Sequence, residues 1–354
     1  MNIIHICCAS DTPNGIKTVL KKISVKQREN GNEVRVLSLQ SGEPSFKYIH
    51  SLKGFIDEIQ SSRPDLVIFH SVYYIYYALF SVLLSLWRIP YAVELHGALS
   101  KSNYRVSYIK KVIANFLFFK RFLRSARGII YLNKNEYENS IVKDINPNYI
   151  IIPNGCDISE YICTRNKAKD EQLQILYVGR IERVHKGLDI LLDAMKIISN
   201  NEVMRNVRFV FCGDGSELEC KWFLAQISKL SKIAEFRGPI YGEQKEMTML
   251  ESDIFILTSR SEGMPMGVLE ALSMGLPCIL TKETNLGVEV QEAYAGWLTS
   301  LSSDDIARDI LRAIEDYRTN HMTLSQNALT LSRNYSWDTI AKTSIQAYMT
   351  LLSN

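Results

Sequence analysis

Short apolar runs alternate along the whole chain with longer segments in which apolar residues recur every three or four positions. The short runs have the length of buried strands, and the longer segments have the period of amphipathic helices. Strands and helices that alternate in this way form parallel sheets with helices on both faces. The predicted strands begin at residues 2, 33, 65, 90, 127 and 149 in the first half, and at residues 174, 206, 233, 253 and 277 in the second.

The cycle of strands and helices restarts after a polar segment without period that begins at Ser159. Because 354 residues leave room for two hydrophobic cores, we predict two doubly wound domains. They comprise residues 1–158 and 159–335, and residues 336–354 form a helix that packs back toward the first domain.

The run from Tyr73 to Trp87 is nearly free of polar residues and has two interpretations. Its 15 residues fall short of the ~20 needed to cross a bilayer. It also lies between two predicted strands, where this fold needs a helix. We therefore expect a core helix, with membrane insertion as the alternative. No basic region precedes the first apolar run, so we expect no signal peptide.

Composition and charge narrow the class of protein. A hydrophobic content of 46% and a charged content of 22% are those of a soluble globular protein, which excludes wholesale disorder and collagen. Seven cysteines without a C-x-x-C motif favour neither zinc nor disulfides and indicate a reducing cytosol. Residues 1–158 hold 20 Lys and Arg against 12 Asp and Glu, whereas the rest holds 21 against 26. The first domain therefore favours an anionic partner.

Two carboxylates flank a Gly- and Pro-rich turn that follows a predicted strand. Glu262 is expected in the loop and Glu270 in the helix that begins near Pro265. Backbone N–H groups at a helix start bind phosphate, and carboxylates accept hydrogen bonds from hydroxyl groups, so the turn fits a polyhydroxylated anionic ligand. The alternative is a surface glutamate beside a capped helix.

A second loop, residues 179–187, places Arg180 and Lys186 between glycines at another strand-to-helix turn. Arginine offers a planar fork and lysine a point charge, which together balance a pyrophosphate. Each residue taken singly is compatible with a solvated surface cation.

These residues resemble the retaining glycosyltransferases of family 4, whose GT-B architecture consists of two Rossmann-like doubly wound domains facing a cleft. The resemblance runs the length of the chain. Besides the two glutamates, it is carried by Pro13–Gly15, His96–Ala98, Ile152–Gly155, Val178–Arg180, His185–Gly187, Phe211–Gly215, Arg237–Pro239 and Thr284–Gly287.

The resemblance implies roles for single residues. Arg180 and Lys186 hold the donor diphosphate, Glu270 accepts the ribose hydroxyls, and Glu262 lies beside the donor sugar. His96 contacts that sugar from the first domain; a histidine satisfied at a strand end is the alternative. Further donor contacts fall on Gly15, Gly179, Gly263, Met264, Pro265, Met266 and Gly267, and on the nucleobase loop with Pro239 and Ile240. Where the family often has two adjacent glycines, Asn14 precedes Gly15.

The activity implied is transfer of a hexose or N-acetylhexosamine, with retention, from a nucleotide-sugar such as a UDP-sugar to a lipid-linked glycan of bacterial surface polysaccharide, O-antigen or capsule. No D-x-D motif is present, and Arg180, Lys186 and helix amides can replace a metal's charge, so we expect no cofactor and no metal. The alternatives are a nucleotide-sugar epimerase and an inactive binding module.

Residues 101–127 contain eight basic residues, six aromatic residues and no acidic one. On a helix, Ile109, Phe116 and Leu123 share an apolar stripe, a pattern typical of helices on anionic membranes. The expected membrane or acceptor contacts are Lys110, Lys111, Lys120, Arg121 and Arg124. We therefore expect a cytoplasmic protein at the inner face of the membrane. A core helix with a solvated basic face is the alternative, and no base-reading motif supports nucleic acid.

Overall fold

A computed structural model describes residues 1–8, 15–72, 74–96, 119–159 and 172–353. The chain forms two compact units, each built around its own sheet. The first unit comprises Met1–Gly155 with Trp337–Asn354, and the second comprises Cys156–Ser336. The sequence placed these boundaries at 158/159 and 335/336.

Thirteen strands and twelve α-helices lie within the described ranges. The strands are β1 Asn2–Cys7, β2 Glu33–Ser38, β3 Lys47–Tyr48, β4 Leu66–His70, β5 Tyr91–Glu94, β6 Gly128–Tyr131, β7 Tyr149–Ile151, β8 Leu173–Val178, β9 Val207–Cys212, β10 Ala234–Gly238, β11 Ile254–Leu257, β12 Cys278–Thr281 and β13 Gly296–Thr299. The helices are α1 Gly15–Glu29, α2 Leu52–Ser62, α3 Ile75–Leu86, α4 Lys120–Ser125, α5 Lys134–Asn139, α6 Leu188–Ile198, α7 Glu217–Ile227, α8 Gly242–Leu250, α9 Met266–Ser273, α10 Gly287–Glu292, α11 Ser303–Arg333 and α12 Trp337–Ser353.

Both sheets are parallel and have Rossmann-like strand order. The first is β3-β2-β1-β4-β5-β6-β7 and the second is β10-β9-β8-β11-β12-β13. Central strands such as β4 are buried at every residue because helices cover both faces. The predicted α/β fold with two doubly wound parallel-sheet domains is thereby confirmed.

Two strands were missed by the sequence pattern. Strand β3 is a two-residue edge strand whose Lys47 and Tyr48 are exposed, so it has no apolar run. Strand β13 begins at Gly296. A side chain at this position would clash with its neighbour β12, because its Cβ would lie 2.0 Å from the carbonyl oxygen of Cys278. A four-residue strand that starts with glycine gives little periodic signal.

Helix α3 is where the sequence predicts a helix, but the expected core burial is wrong for one face. Tyr77, Phe80 and Leu84 are buried against the sheet. The opposite face exposes large apolar side chains, with Ile75 61% and Leu86 72% exposed. The sequence is apolar on both faces, so its pattern could not tell them apart. None of the described helices combines the length and apolar character needed to span a bilayer.

The C-terminal helix α12 packs against α1 within the first unit. The side chain of Gln27 donates to Ser344 Oγ at 2.9 Å, deep in the interface between the two helices. Arg127 donates to the carbonyl oxygens of Leu351 and Leu352, each at 3.1 Å, and so satisfies the end of the helix.

Candidate functional site

The second sheet has its switch point between β8 and β11, which lie side by side and parallel. The strand order proceeds in opposite directions from these two strands, so the loops leaving them diverge over a crevice. Ligands of open α/β sheets bind in such a crevice, outside the carboxyl ends of the strands. The two loops are residues 179–187 and 258–265, and they carry most of the predicted site residues.

Lys186 and Glu262, one from each loop, form an ion pair. Nζ of Lys186 lies 2.6 Å from Oε1 of Glu262, and only 13% and 10% of the two side chains are exposed. Charges shielded from water in this way interact more strongly than a surface pair. The sequence predicted both residues for the site but not their contact, because they are 76 positions apart.

The Glu262 loop is fixed by further hydrogen bonds. Ser259 Oγ donates to Oε1 of Glu262 at 2.6 Å. The side-chain amide of Asn285 donates to the carbonyl oxygens of Glu262 and Gly263 at 2.6 and 3.0 Å. Asn285 has a φ of 64°, a conformation that asparagine tolerates. The Thr284–Gly287 motif thus supports the glutamate.

Glycine is required at position 187, where the two loops approach each other. Gly187 has a φ of +64°, and the Cβ of any other residue at this position would lie 2.0 Å from the carbonyl oxygen of Thr258. A side chain there would push the loops apart, and the Lys186–Glu262 pair with them.

Arg180 lies on the surface of the first loop. Its side chain is 71% exposed, and its guanidinium lies 3.3 Å from a carboxylate oxygen of Glu182. The neighbouring Gly179 lies close to Tyr177, since a Cβ at position 179 would come within 2.9 Å of the Tyr177 hydroxyl. Arg180 therefore forms its ion pair with Glu182.

Helix α9 begins after Pro265 and carries Glu270 as its fifth residue. Nζ of Lys245, from α8, lies 2.5 Å from Oε2 of Glu270. Lys245 was missed by sequence reasoning because it belongs to an ordinary polar helix pattern. The predicted donor residues Gly263, Met264, Pro265, Met266 and Gly267 run continuously from the Glu262 loop into the first turn of α9.

The predicted nucleobase loop connects β10 to α8. Gly238 has a φ of +75°, and its carbonyl oxygen accepts a hydrogen bond from the N–H of Gly213 at 2.9 Å. Pro239 and Tyr241 are exposed, whereas Ile240 is buried and anchors the loop.

In the first unit, His96 ends a chain of buried histidines. His5 Nδ1 and His70 Nε2 are 2.9 Å apart, and His70 Nδ1 and His96 Nε2 are also 2.9 Å apart. Burial lowers the pKa of His5 and of His96 to about 4, so both rings are neutral at pH 7. Oε1 of Glu94 lies 3.4 Å from Nε2 of His96. Burial, together with the nearby carboxylate of Glu136, raises the pKa of Glu94 to about 8.

The hydrogen bonds assign a proton to one nitrogen of each ring. His5 Nε2 lies 3.0 Å from Gln27 Oε1, an acceptor, so His5 carries its proton on Nε2 and accepts at Nδ1. His70 then donates through Nε2 and accepts at Nδ1, where His96 donates through its own Nε2. Nδ1 of His96 remains an acceptor, which suits a hydroxyl group.

The other predicted residues are placed as follows. Gly15 is the first residue of α1, and no atom of the described residues would lie within 4 Å of a Cβ added to it. Lys120, Arg121 and Arg124 belong to α4, and all three are exposed. Lys110 and Lys111 lie outside the described residues.

Among the residues that the structure describes, one group of three side chains could hold a metal ion. The ligand atoms of His70, Glu94 and His96 all lie within 4.8 Å of one another. The facing nitrogens of the two histidines already share a hydrogen bond, so a metal would have to displace that proton. Among the described residues, no comparable group of three ligand side chains lies at the Lys186–Glu262 pair.

Comparison with known proteins adds to this geometry. Residues 4–155 match the model of the Glycosyl transferase 4-like domain, and residues 162–329 match that of Glycosyl transferases group 1. UDP-Gal:alpha-D-GlcNAc-diphosphoundecaprenol alpha-1,3-galactosyltransferase of Escherichia coli is 29% identical over 49% of this chain and 47% of its own. D-inositol 3-phosphate glycosyltransferase of Corynebacterium efficiens is 24% identical over 76% of this chain and 67% of its own.

The chain spans about half the length of the first of these relatives. Among solved structures, Anabaena HepE in complex with UDP aligns with a TM-score of 0.75 and 17% identity, covering 99% of this chain and all of that one. At this identity the likeness shows the fold alone. The two family models together cover most of the chain, and it belongs to the glycosyltransferases that they describe.

Proposed function

We propose that the protein transfers a hexose or N-acetylhexosamine from a UDP-sugar to a lipid-linked glycan of bacterial surface polysaccharide, with retention at the anomeric carbon. The observation that carries this proposal is the shielded Lys186–Glu262 pair at the switch point of the second sheet. The E. coli relative is named for a galactosyl transfer to a diphosphoundecaprenol-linked sugar, and HepE binds UDP, which supports a UDP-sugar and a lipid-linked acceptor.

In this proposal the cations of the first loop bind the donor diphosphate. Lys186 offers its ammonium at the crevice, and Arg180 exchanges Glu182 for a phosphate oxygen. Glu270 accepts the ribose hydroxyls beside Lys245, and Glu262 orients both Lys186 and the donor sugar. The amides at the start of α9 add partial positive charge.

The reaction breaks the bond between the anomeric carbon and the diphosphate oxygen and forms one to an acceptor hydroxyl on the same face. The acceptor proton passes to the departing phosphate oxygen, so no protein nucleophile is needed. Catalysis then consists of holding the acceptor close and stabilising the charge that develops on the diphosphate. Lys186 and Arg180 supply that stabilisation without a metal.

The acceptor side of the proposal rests on the surface formed by α3 and α4. These helices border a groove of about 560 Å³ whose lining includes Leu79, Val82, Leu86 and Arg121. Exposed apolar side chains beside Arg121 and Arg124 fit the interface of an anionic membrane, where such cations are stabilised. We infer that this surface, called here the α3–α4 face, holds the protein at the inner face of the cytoplasmic membrane near its acceptor.

A donor screen tests the proposal. The protein is incubated with a panel of nucleotide-sugars, with and without a polyprenyl-diphosphate-linked sugar, and release of nucleotide is measured. Release that requires the acceptor, together with an α-configured product by NMR, supports a retaining transferase. Epimerised donor without acceptor indicates an epimerase, and binding without turnover an inactive module; either contradicts the proposal.

A further inference from the structure

Arg260 lies two residues before Glu262 and forms hydrogen bonds and an ion pair that none of the roles above explains. Its backbone N–H donates to the carbonyl oxygen of His185 at 2.9 Å. Its Nη1 donates to the carbonyl oxygen of Val184 at 2.6 Å. Both acceptors belong to the residues directly before Lys186, so one arginine ties the Glu262 loop to the Lys186 loop.

The same guanidinium forms a two-point ion pair with Asp189. Nη1 lies 2.7 Å from Oδ1 and Nη2 lies 2.9 Å from Oδ2. Asp189 is the second residue of α6, directly beyond Gly187. A forked arginine–carboxylate pair fixes orientation as well as distance. Arg260 therefore holds the Lys186 loop from both of its sides, at Val184 and at Asp189.

The first part of this loop is held at Arg183, whose backbone N–H donates to Glu219 at 2.8 Å and whose guanidinium lies over the Trp222 ring, so the tie through Arg260 concerns the part from Val184 onward. The Val184 side chain is exposed, so the tip of the loop gains little from burial. Its internal backbone bonds, Lys186 N–H to Glu182 and Gly187 N–H to Val184, are both 3.2 Å long. Lysine has a flexible stem, so the position of its ammonium depends on where the loop backbone is held.

We propose that Arg260 and Asp189 are positioning residues that hold the Lys186 loop where its ammonium meets Glu262. The inference rests on the proposed function, because it assumes that Lys186 acts in turnover. Neither residue is assigned a contact with the substrates. Their loss misplaces Lys186 at the moment when charge develops, so it lowers kcat, whereas donor binding through the ribose and the base is retained.

The experiment compares Arg260→Ala, Arg260→Lys, Asp189→Asn and the double variant Arg260→Ala/Asp189→Asn with the full-length wild type. The control is Arg208→Ala, which also breaks an arginine–carboxylate pair: Arg208 Nε and Nη2 lie 2.9 and 2.7 Å from Glu235. The two pairs are similarly exposed, 30% and 31% against 32% and 27%. Measured are kcat, KM for the UDP-sugar, the melting temperature and UDP binding.

We expect Arg260→Ala and Asp189→Asn each to lower kcat by ~10-fold or more, with KM and UDP affinity within about threefold of wild type. The double variant should be no worse than the poorer single variant, because the two residues act as one unit. Arg260→Lys should recover part of the rate, and Arg208→Ala should keep all of it.

Wild-type kcat in Asp189→Asn and Arg260→Ala, alongside an inactive Lys186→Ala, overturns the positioning role and leaves the proposed function intact. Equal losses in Arg208→Ala also overturn it, since any broken ion pair would then have the same effect. If Arg260→Ala does not fold, Asp189→Asn, which preserves side-chain shape, decides the question. Wild-type turnover by Lys186→Ala contradicts the proposed function itself.

Discussion

Glu262 and Glu270 occupy different electrostatic settings at the residue scale. The carboxylate of Glu262 is held by Lys186 and Ser259, both at 2.6 Å. Glu270 has Lys245 at 2.5 Å and sits inside a helix. In the proposed mechanism the carboxylate of Glu262 orients Lys186 and the donor sugar, and the carboxylate of Glu270 accepts hydrogen bonds from the ribose hydroxyls.

The two glutamates should therefore fail differently when replaced. Glu270→Ala should weaken UDP binding with a smaller effect on kcat, because ribose contacts are equal in the ground and transition states. Glu262→Gln should mainly lower kcat, because it removes the charge that orients Lys186. Calorimetric titration with UDP and steady-state kinetics separate the two, and wild-type UDP affinity in Glu270→Ala contradicts the ribose role.

The site's cations should make a metal unnecessary. Incubation with EDTA followed by gel filtration should leave the rate within about twofold of the untreated enzyme, because Lys186 and Arg180 balance the leaving diphosphate. The control is re-addition of Mg²⁺ or Mn²⁺ to the treated protein. A rate that collapses and is restored by either ion contradicts this electrostatic assignment.

The sequence predicts which residues lie on the loops at the switch point of the second sheet, but not which of them touch. Arg180, Lys186, Glu262 and Glu270 follow from residue type and from position after a strand. The Lys186–Glu262 pair and the Arg260–Asp189 pair join distant parts of the chain, and no local pattern encodes such contacts. Lys245 has no sequence signal at all.

At the scale of elements, α3 departs most from its sequence-based expectation. Its apolar residues continue around the helix, which resembles a core helix, yet Ile75 and Leu86 are exposed. The strands with long apolar runs were found, whereas the short β3 and β13 were not. Burial depends on which neighbours cover an element, and a local pattern does not contain that information.

The α3–α4 face should bind anionic vesicles. Replacing Arg121 and Arg124 with Ser should weaken partitioning by ~30-fold, since each cation near such a surface contributes ~1 kcal/mol. Raised salt should have the same effect on the wild type. Sedimentation with phosphatidylglycerol vesicles measures it, and Arg205→Ser/Lys221→Ser, an equal charge change in the second unit, is the control. Unchanged sedimentation of the first variant contradicts the membrane role.

At the scale of the whole molecule, the two-unit organisation follows from the repeated strand and helix pattern. Both sheets are parallel, as the alternation of strands and helices predicts. The buried network of His5, His70, His96 and Glu94 could not be foreseen, because it joins three strands of the first sheet. We expect this network to make the stability of the first unit depend on pH.

Glu94 should make stability fall as pH rises. Its ordinary pKa is 4.5 and burial raises it to about 8, so between these values the unfolded chain releases a proton that the folded protein keeps. The free energy of unfolding then falls by roughly 1.4 kcal/mol per pH unit and levels off above pH 8. Urea unfolding at pH 7.5 and 8.5, where His5, His70 and His96 are almost entirely neutral in both the folded and the unfolded chain, should show part of this fall in wild type and lose it in Glu94→Gln. An identical pH dependence in both contradicts the buried acid.

The central claim is that Lys186, held by Glu262, stabilises the charge of a departing nucleotide diphosphate. Its most direct test is acceptor-dependent release of UDP by Lys186→Ala, with Lys196→Ala on the surface of α6 as the control. Loss of one preorganised electrostatic donor costs ~2.7–4 kcal/mol, so Lys186→Ala should release UDP ~10² to 10³ times more slowly. Lys196→Ala should match wild type. A rate for Lys186→Ala within a few-fold of wild type would contradict the claim.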